Sequence, residues 1–279
     1  MNAIQRLAVI VAMRSELQHL PGLPHLPPEP NADHLRPSVT WNDQGLEITA
    51  VACGIGIIRA AAATEAMIAA HAPDAILNFG CTGAHERHVN VGDVVIGTRS
   101  VSHTSMVIVP DGTGRFDLHD GMKAPAAGQT GIASDPALLA IAREAANGWT
   151  PERWVAASDD SPVPRVHEGV VASADVWTQA HNAIARLAER HLSLCEDMES
   201  AAIATVAALH GVPYVTIKDI SNNELQQATI FDHGLEHLPE SEVGRRAAIL
   251  TGRVINHLAT QSRSADPQPA LSSSNGSAL

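Results

Sequence analysis

MESAAIATVAALHGVPYVTIKDISNN, residues 198 to 223, contains both secondary-structure types of this chain in one line. Residues 198 to 211 carry apolar side chains at helical spacing and close on Gly211, the residue that ends a helix most readily. VPYVTI, residues 212 to 217, then reads as a strand, and the apolar pattern stops abruptly at Lys218, Asp219, Ser221, Asn222 and Asn223. Working outward, LAVIVAM (7 to 13), LEITAVAC (46 to 53), DAILNFG (74 to 80), VGDVVIG (91 to 97) and EGVVAS (168 to 173) also read as strands. IIRAAAATEAMIAAHA (57 to 72) and DPALLAIAREAANG (135 to 148) read as helices, and a last helix is expected over 240 to 260. Short Val- and Ile-rich runs alternating with longer helical patterns predict an α/β fold around a largely buried sheet.

The chain has 279 residues, 45% of them hydrophobic and only 3% aromatic, so its core must be built from Ala, Val, Ile and Leu. The formal net charge is -12 and the cations are scattered, which leaves no basic stripe for a phosphate backbone and excludes nucleic acid as a partner. The apolar run at residues 7 to 13 is too short for a membrane span and lacks a signal-peptide cleavage site, so no membrane association is expected and a cytoplasmic location is. Cys53, Cys81 and Cys195 lack CxxC spacing and are expected as reduced thiols. The Pro-rich stretch 20 to 30 and most of 110 to 134 read as loops. Residues 1 to 261 are expected as one domain, and 262 to 279 have the composition of a disordered tail.

Polar and glycine residues gather where strands end, the natural position for a site in an α/β fold. Glu16 follows the first strand; Gly54 and Gly56 form a turn before a helix; Gly80, Cys81, Thr82 and Gly83 form a small-residue turn; Asp197 and Glu199 open the Ala-rich helix. Each has an ordinary alternative, as a helix-terminal acid or a tight turn. His85 and His88 have no adjacent third ligand, so a metal site is not expected and a solvated loop is.

In order, AMRSE (12 to 16), GIG (54 to 56), NFGCTGAHERHVNVGDVV (78 to 95), VVASADVW (170 to 177), DMESAAIA (197 to 204) and VPYVTIKDIS (212 to 221) resemble the nucleoside phosphorylase superfamily. Within it the chain is most similar to the 5′-methylthioadenosine/S-adenosylhomocysteine nucleosidases, from about residue 6 to 259, with insertions at 20 to 40 and 110 to 165. The resemblance implies a single three-layer αβα domain with a central mixed, largely parallel sheet. It also implies a homodimeric, cofactor-free enzyme acting on a small-molecule purine nucleoside. Carried over by position, Glu16 activates the attacking water, Glu199 grips the ribose hydroxyls with Met198 against the sugar and Asp197 beside it, and Trp177 stacks on the purine. The backbone of Thr178 meets the base edge, Ile55 and Gly56 line the 5′ side, and Gly83 borders the pocket. Cys81 stands where the nucleosidases usually carry serine. The segment His103 to Pro110 is the candidate for closing a neighbouring subunit's 5′ side.

Two departures bear on chemistry. The turn after the first strand lacks the Gly-Asp-Pro of the phosphorylases, and Asn78 stands where they carry arginine, which favours water over phosphate as nucleophile; Arg14 and Arg59 nearby keep phosphorolysis as an alternative. Asn222 stands where the nucleosidases have the aspartate that protonates the leaving adenine, and an amide cannot titrate. Asn222 therefore suits a 6-oxopurine, as in inosine or futalosine, or marks an adenine nucleosidase with weakened leaving-group catalysis. Asp219 is discounted as a substitute because strand alternation puts it on the other face. A non-catalytic nucleoside binder of the same fold is the second class of reading. A dinucleotide-binding oxidoreductase is excluded by the missing glycine fingerprint.

Overall fold

The computed structural model describes residues 4–25, 38–104, 107–108, 110, 114–115, 128, 130–155, 157–158, 160–230 and 239–265. The elements in chain order are β1 (Arg6–Val11), α1 (Arg14–Leu17), β2 (Ser38–Asp43), β3 (Leu46–Ala52), α2 (Ile57–His71), β4 (Ala75–Ala84) and β5 (Val94–Ser102). Three two-residue strands follow, β6 (Val107–Ile108), β7 (Gly114–Arg115) and β8 (Ile132–Ala133). Then come α3 (Pro136–Ala146), β9 (Val166–Ser173), α4 (His181–His191), β10 (Ser193–Asp197), α5 (Ser200–Leu209), β11 (Tyr214–Asn223), β12 (Ala228–Thr229) and α6 (Arg245–Ala265).

The main sheet runs β12-β11-β5-β9-β10-β4-β1-β3-β2, and β11 also pairs with β4. The parallel pairings β1–β3, β1–β4, β4–β11, β5–β9 and β9–β10 form its centre, and antiparallel pairs β2–β3, β5–β8, β5–β11, β4–β10 and β11–β12 complete it. Because β4 touches both β10 and β11, the strands β4, β11, β5, β9 and β10 close into a ring. One residue from each of these five strands (Ala84, Ile220, Val95, Val171 and Cys195) joins a small separate apolar cluster.

Strand parity builds the layers. On β1, Leu7, Val9 and Val11 enter one core with Leu138 and Ile141 of α3 and Leu250, Val254 and Leu258 of α6. Ala8 and Ile10 enter the opposite core with Ala60, Ala63 and Met67 of α2 and Ile203, Ala204 and Ala207 of α5. Helices therefore cover both faces, giving the three-layer αβα domain, and the alanines let α2 and α5 lie close together. Asp135 caps α3 by accepting from the amides of Ala137 and Leu138 at 2.9 and 3.0 Å, with Pro136 at the first helical position.

The four expected helices are present with slightly shifted ends. α6 runs to Ala265, past the expected domain boundary at 261, and residues 266–279 lie outside the described residues. Sequence periodicity missed β2, α4 and β10, and the expected loop over 110 to 134 contains β7 and β8. Residues 26–30 of the expected Pro-rich loop lie outside the described residues.

Candidate active site

The ends of β1, β4, β10 and β11 and the segment after β9 surround a cavity of about 210 Å³. Glu16, Ile55, Cys81, Gly83, Trp177, Thr178, Asp197, Met198, Glu199 and Asn222 all line it. Of the expected site residues, Gly56 alone does not: its N–H, at φ 108, donates to Glu199 Oε1 at 2.8 Å. Gly56 thus holds the carboxylate rather than the ligand. A side chain is excluded there, since a Cβ would lie 2.8 Å from Asp175 Oδ1.

Glu16 follows β1 at the start of a single helical turn and is buried. Its Oε1 accepts from the Cys81 amide at 2.8 Å and its Oε2 from the Met13 amide at 3.0 Å. Burial outweighs these bonds and the nearby Lys218 charge and raises its carboxyl above the ordinary glutamate value. That is the direction a general base needs. Burial, with the Glu16 charge beside it, holds the Cys81 thiol well above its ordinary pKa.

Glu199 immediately precedes α5 and is buried; burial first and the Asp197 charge second push it up to about 8. Asp197 behaves differently from expectation. It lines the cavity, but its carboxylate is committed internally: Ser173 and Ser200 hydroxyls donate to it at 2.5 Å each and Lys218 Nζ lies 2.7 Å away. Burial would raise Asp197, yet Lys218 and the hydroxyls win and lower it. Lys218 is buried midway along β11, and its charge is felt by Glu16, Asp197 and Glu199 alike. Asp197 is therefore a support for Lys218 and for the start of α5.

Trp177 is 40% exposed and Ile55 47% exposed, both at the cavity's edge. The Thr178 amide, expected at the base edge, is instead taken: it donates to Glu196 Oε1 at 2.9 Å. Asn222 is buried; its Oδ1 accepts from Ser221 Oγ at 3.0 Å and its Nδ2 donates to Glu224 Oε1 at 3.0 Å. Asp219 lies off the cavity in contact with Arg246, whose amide donates to it at 3.0 Å, and burial pushes it up to about 7.

Sequence reasoning missed Glu196, His85, Ser221 and Glu224, all cavity residues. His85 was expected in a solvated loop; it is buried, with Nδ1 2.8 Å from Ser193 Oγ and Nε2 3.3 Å from Glu196 Oε2. His103, expected to serve a neighbour, is buried with Nε2 3.6 Å from its own Glu196 Oε2. The available signal was Glu196 itself, a charge directly after Leu194 and Cys195 in a strand-length run. His88 is exposed, and among the described residues no group of three or more His, Cys, Asp or Glu is arranged to hold a metal. Among the described residues, no helix is long and apolar enough to cross a membrane.

The arrangement offers a buried base, a second buried carboxylate, an aromatic edge and a polar far wall. Comparison with known proteins identifies the family. The family model of the phosphorylase superfamily matches residues 6–259. A 5′-methylthioadenosine/S-adenosylhomocysteine nucleosidase of Chromohalobacter salexigens is 30% identical over 221 residues, 78% of this chain and 85% of that one. The enzyme of the same name from Maridesulfovibrio salexigens is 28% identical over 243 residues, 85% and 95% of the two chains. Among solved structures, the nucleosidase of Neisseria meningitidis with methylthio-immucillin-A superposes with TM-score 0.67 at 22% identity, covering 91% of this chain and 99% of that one. Futalosine hydrolase of Helicobacter pylori gives TM-score 0.68 at 21% identity, covering 91% and 98%. With the superfamily model spanning nearly every described element and the strand-end carboxylates in place, this chain belongs to the phosphorylase superfamily.

Proposed function

We infer that the chain is a nucleosidase: it hydrolyses the N-glycosidic bond of a purine nucleoside and releases the free base. The observation that carries the reading is the charge of the cavity wall. Glu16, Glu196, Asp197, Glu199 and Glu224 line it, and among the described residues no lysine or arginine does; Asp197 is neutralised by Lys218 behind the wall and Glu199, pushed up to about 8, holds its proton at neutral pH, so the lining offers acidic groups and no cation to an entering anion. A phosphate nucleophile would enter against that field, whereas water beside a buried carboxylate gains a base. Asn78 bonds inward, donating to Ile10 O at 2.8 Å and accepting from Thr216 at 2.7 Å, so it supplies no anion contact. Arg59 is exposed beside Gly54, and neither it nor Arg14 lines the cavity.

In this mechanism Glu199 receives the ribose hydroxyls, with Met198 against the sugar and Trp177 over the base. Glu16 takes a proton from water as positive charge grows on the sugar, and the surplus of carboxylates favours that charge. Substrates of the methylthioadenosine, S-adenosylhomocysteine, inosine and futalosine kinds fit this reading. A homodimer in the cytoplasm belongs to it as well; the exposed apolar Ile55, Val176 and Trp177 at the cavity's edge support a covering second copy.

The test follows base release by chromatography from methylthioadenosine, S-adenosylhomocysteine, adenosine, inosine, guanosine and futalosine, with and without phosphate. Release independent of phosphate is expected. Release that requires phosphate assigns a phosphorylase, and binding without release assigns the non-catalytic reading.

A further inference from the structure

On β11, Ile217 enters the core that α6 covers, and Asp219, two positions further on, faces the same way. There it meets Arg246 of α6, which is fully buried, and Glu242, which is nearly so; none of the three lines the cavity. The guanidinium donates to Glu242 Oε2 at 2.9 and 3.1 Å, and its Nε lies 3.2 Å from Asp219 Oδ1. Arg245 also reaches Glu242 Oε1, at 3.5 Å. The Arg246 amide donates to Asp219 Oδ2 at 3.0 Å. Gly244, immediately before α6, has no side chain with which to cap it, so β11 supplies the acceptor for this first-turn N–H. Helix capping alone needs no second acid and no buried arginine.

This cluster stands directly behind Glu16. Asp219 is paired across the sheet with Cys81 of β4, whose amide donates to Glu16 Oε1. Gly244, two positions before Arg246, makes room for the base, since a Cβ there would lie 3.0 Å from Glu16 Cγ. Gln18 Nε2 and His19 Nε2 lie 3.2 and 2.7 Å from Glu240 O, so the turn carrying Glu16 is tied to the segment carrying Glu242. Burial pushes Asp219 up to about 7 against the pull of Arg246, and the charges of Glu242 and Glu16 add to the rise. The other groups facing Glu16 are the Cys53 and Cys81 thiols, both held protonated by burial, Lys218, and Glu199, pushed up to about 8. Arg14 stands two residues before it on its own turn.

We propose that Asp219, held by Arg246 and Glu242, is a positioning residue for Glu16: it fixes the start of α6 against the base, and its charge sets the pH at which Glu16 ionises. The assignment deepens the nucleosidase reading and rests on it for the role of Glu16. Glu242 takes both guanidinium N–H bonds and offsets the Arg246 charge, which leaves the charge of Asp219 acting on Glu16. A like charge opposes ionisation of its neighbour, so the two carboxyls lose their protons in linked steps. Glu16 is thereby kept a stronger base than an isolated carboxylate, and water is the weak acid from which it must take a proton. Asp219 itself touches neither the cavity nor what enters it.

The experiment compares the full chain with Asp219→Asn, which keeps an oxygen for the Arg246 amide and removes the charge. One arm titrates the Glu16 and Asp219 carboxyls by carbon NMR on protein isotopically labelled at its carboxyl carbons, the Glu16 signal being assigned by its loss in Glu16→Gln. The other follows kcat/KM for base release from methylthioadenosine and from inosine against pH. Losing the Asp219 charge and leaving Arg246 less compensated both favour ionised Glu16. In Asp219→Asn the Glu16 midpoint should therefore fall by at least about 0.5 pH unit, and the acid limb of kcat/KM should move down with it. KM at the plateau should change less than about threefold. A role in capping alone leaves the Glu16 midpoint where it was, and a midpoint within about 0.2 unit of wild type overturns the proposal. So does a midpoint that falls while the acid limb stays in place. If the variant does not fold, the wild-type titration decides: shared steps in the two signals support the coupling, and independent single steps overturn it. If the midpoint falls but neither nucleoside is cleaved under any condition, the nucleosidase reading fails and the coupling of Asp219 to Glu16 stands.

Discussion

Replacing Glu16 by glutamine tests the proposed base at the atom where it acts. The carboxylate is fixed by two backbone donors, the Cys81 amide on Oε1 and the Met13 amide on Oε2. Gly80 and Gly244 give it room by lacking side chains: a Cβ on Gly80 would lie 2.9 Å from Oε1, and one on Gly244 3.0 Å from Cγ. Glutamine keeps the shape and one acceptor, but its NH2 must face one of those two N–H groups. One buried donor is then unpaired, a cost of about 1–3 kcal/mol. The variant also removes a carboxylate that burial disfavours, which offsets part of that cost. Stability should fall by about 1–2 kcal/mol and the protein should fold. Turnover should fall about 10²–10⁴-fold, since the amide has no affinity for the proton of water. That corresponds to about 3–5 kcal/mol of barrier. KM should change less than about threefold, because Glu16 is not assigned to hold the substrate. Base release at saturating substrate and thermal unfolding of the same sample separate the two effects. Turnover within about threefold of wild type in a folded variant would refute Glu16 as the base.

Lys218→Met should cost about 3–5 kcal/mol in urea unfolding, because Asp197 would be left as a buried charge without its cation at 2.7 Å; a loss below about 1 kcal/mol would mean the serine hydroxyls suffice. Glu199, pushed up from 4.5 to about 8, binds a proton in the folded state that the unfolded chain releases across that window. Its contribution to stability is therefore fully present below pH 4.5 and is lost as pH rises toward 8. Glu199→Gln should flatten the decline of Tm between pH 5 and 8, and identical slopes in both proteins would contradict this origin. Asn222→Asp would place a second carboxylate beside Glu224, now 3.0 Å from Asn222 Nδ2. Like charges at that distance raise one pKa, creating a proton donor, so adenine release should rise about tenfold relative to hypoxanthine release. An unchanged ratio on matched nucleosides would remove Asn222 from base selection.

Four helices and the longer buried strands were legible because their pattern is local: β1 feeds one core with Leu7, Val9 and Val11 and the other with Ala8 and Ile10, so its apolar run is continuous, whereas α4 and the short β10 were missed. The ring was not legible, because nothing in β4 announces that it pairs with β10 and β11 at once. The same division runs through the site. Glu16, Met198, Glu199 and Trp177 line the cavity where the resemblance implied, since each sits in a short segment whose order is shared with the superfamily. Thr178 and Asp197 were identified as cavity residues, but their partners come from elsewhere in the chain: Glu196 lies 18 residues from Thr178, and Lys218 reaches Asp197 from β11. Those partners decide what each group has left to offer a ligand. Glu196 and Asn222 are 26 positions apart in sequence, and only their shared pairing with Gly83 makes them neighbours. The carboxylates assigned to the sugar and the water are thus read from motifs, whereas the far wall of the cavity is assembled by strand register, and no local pattern announces which side chains it brings together.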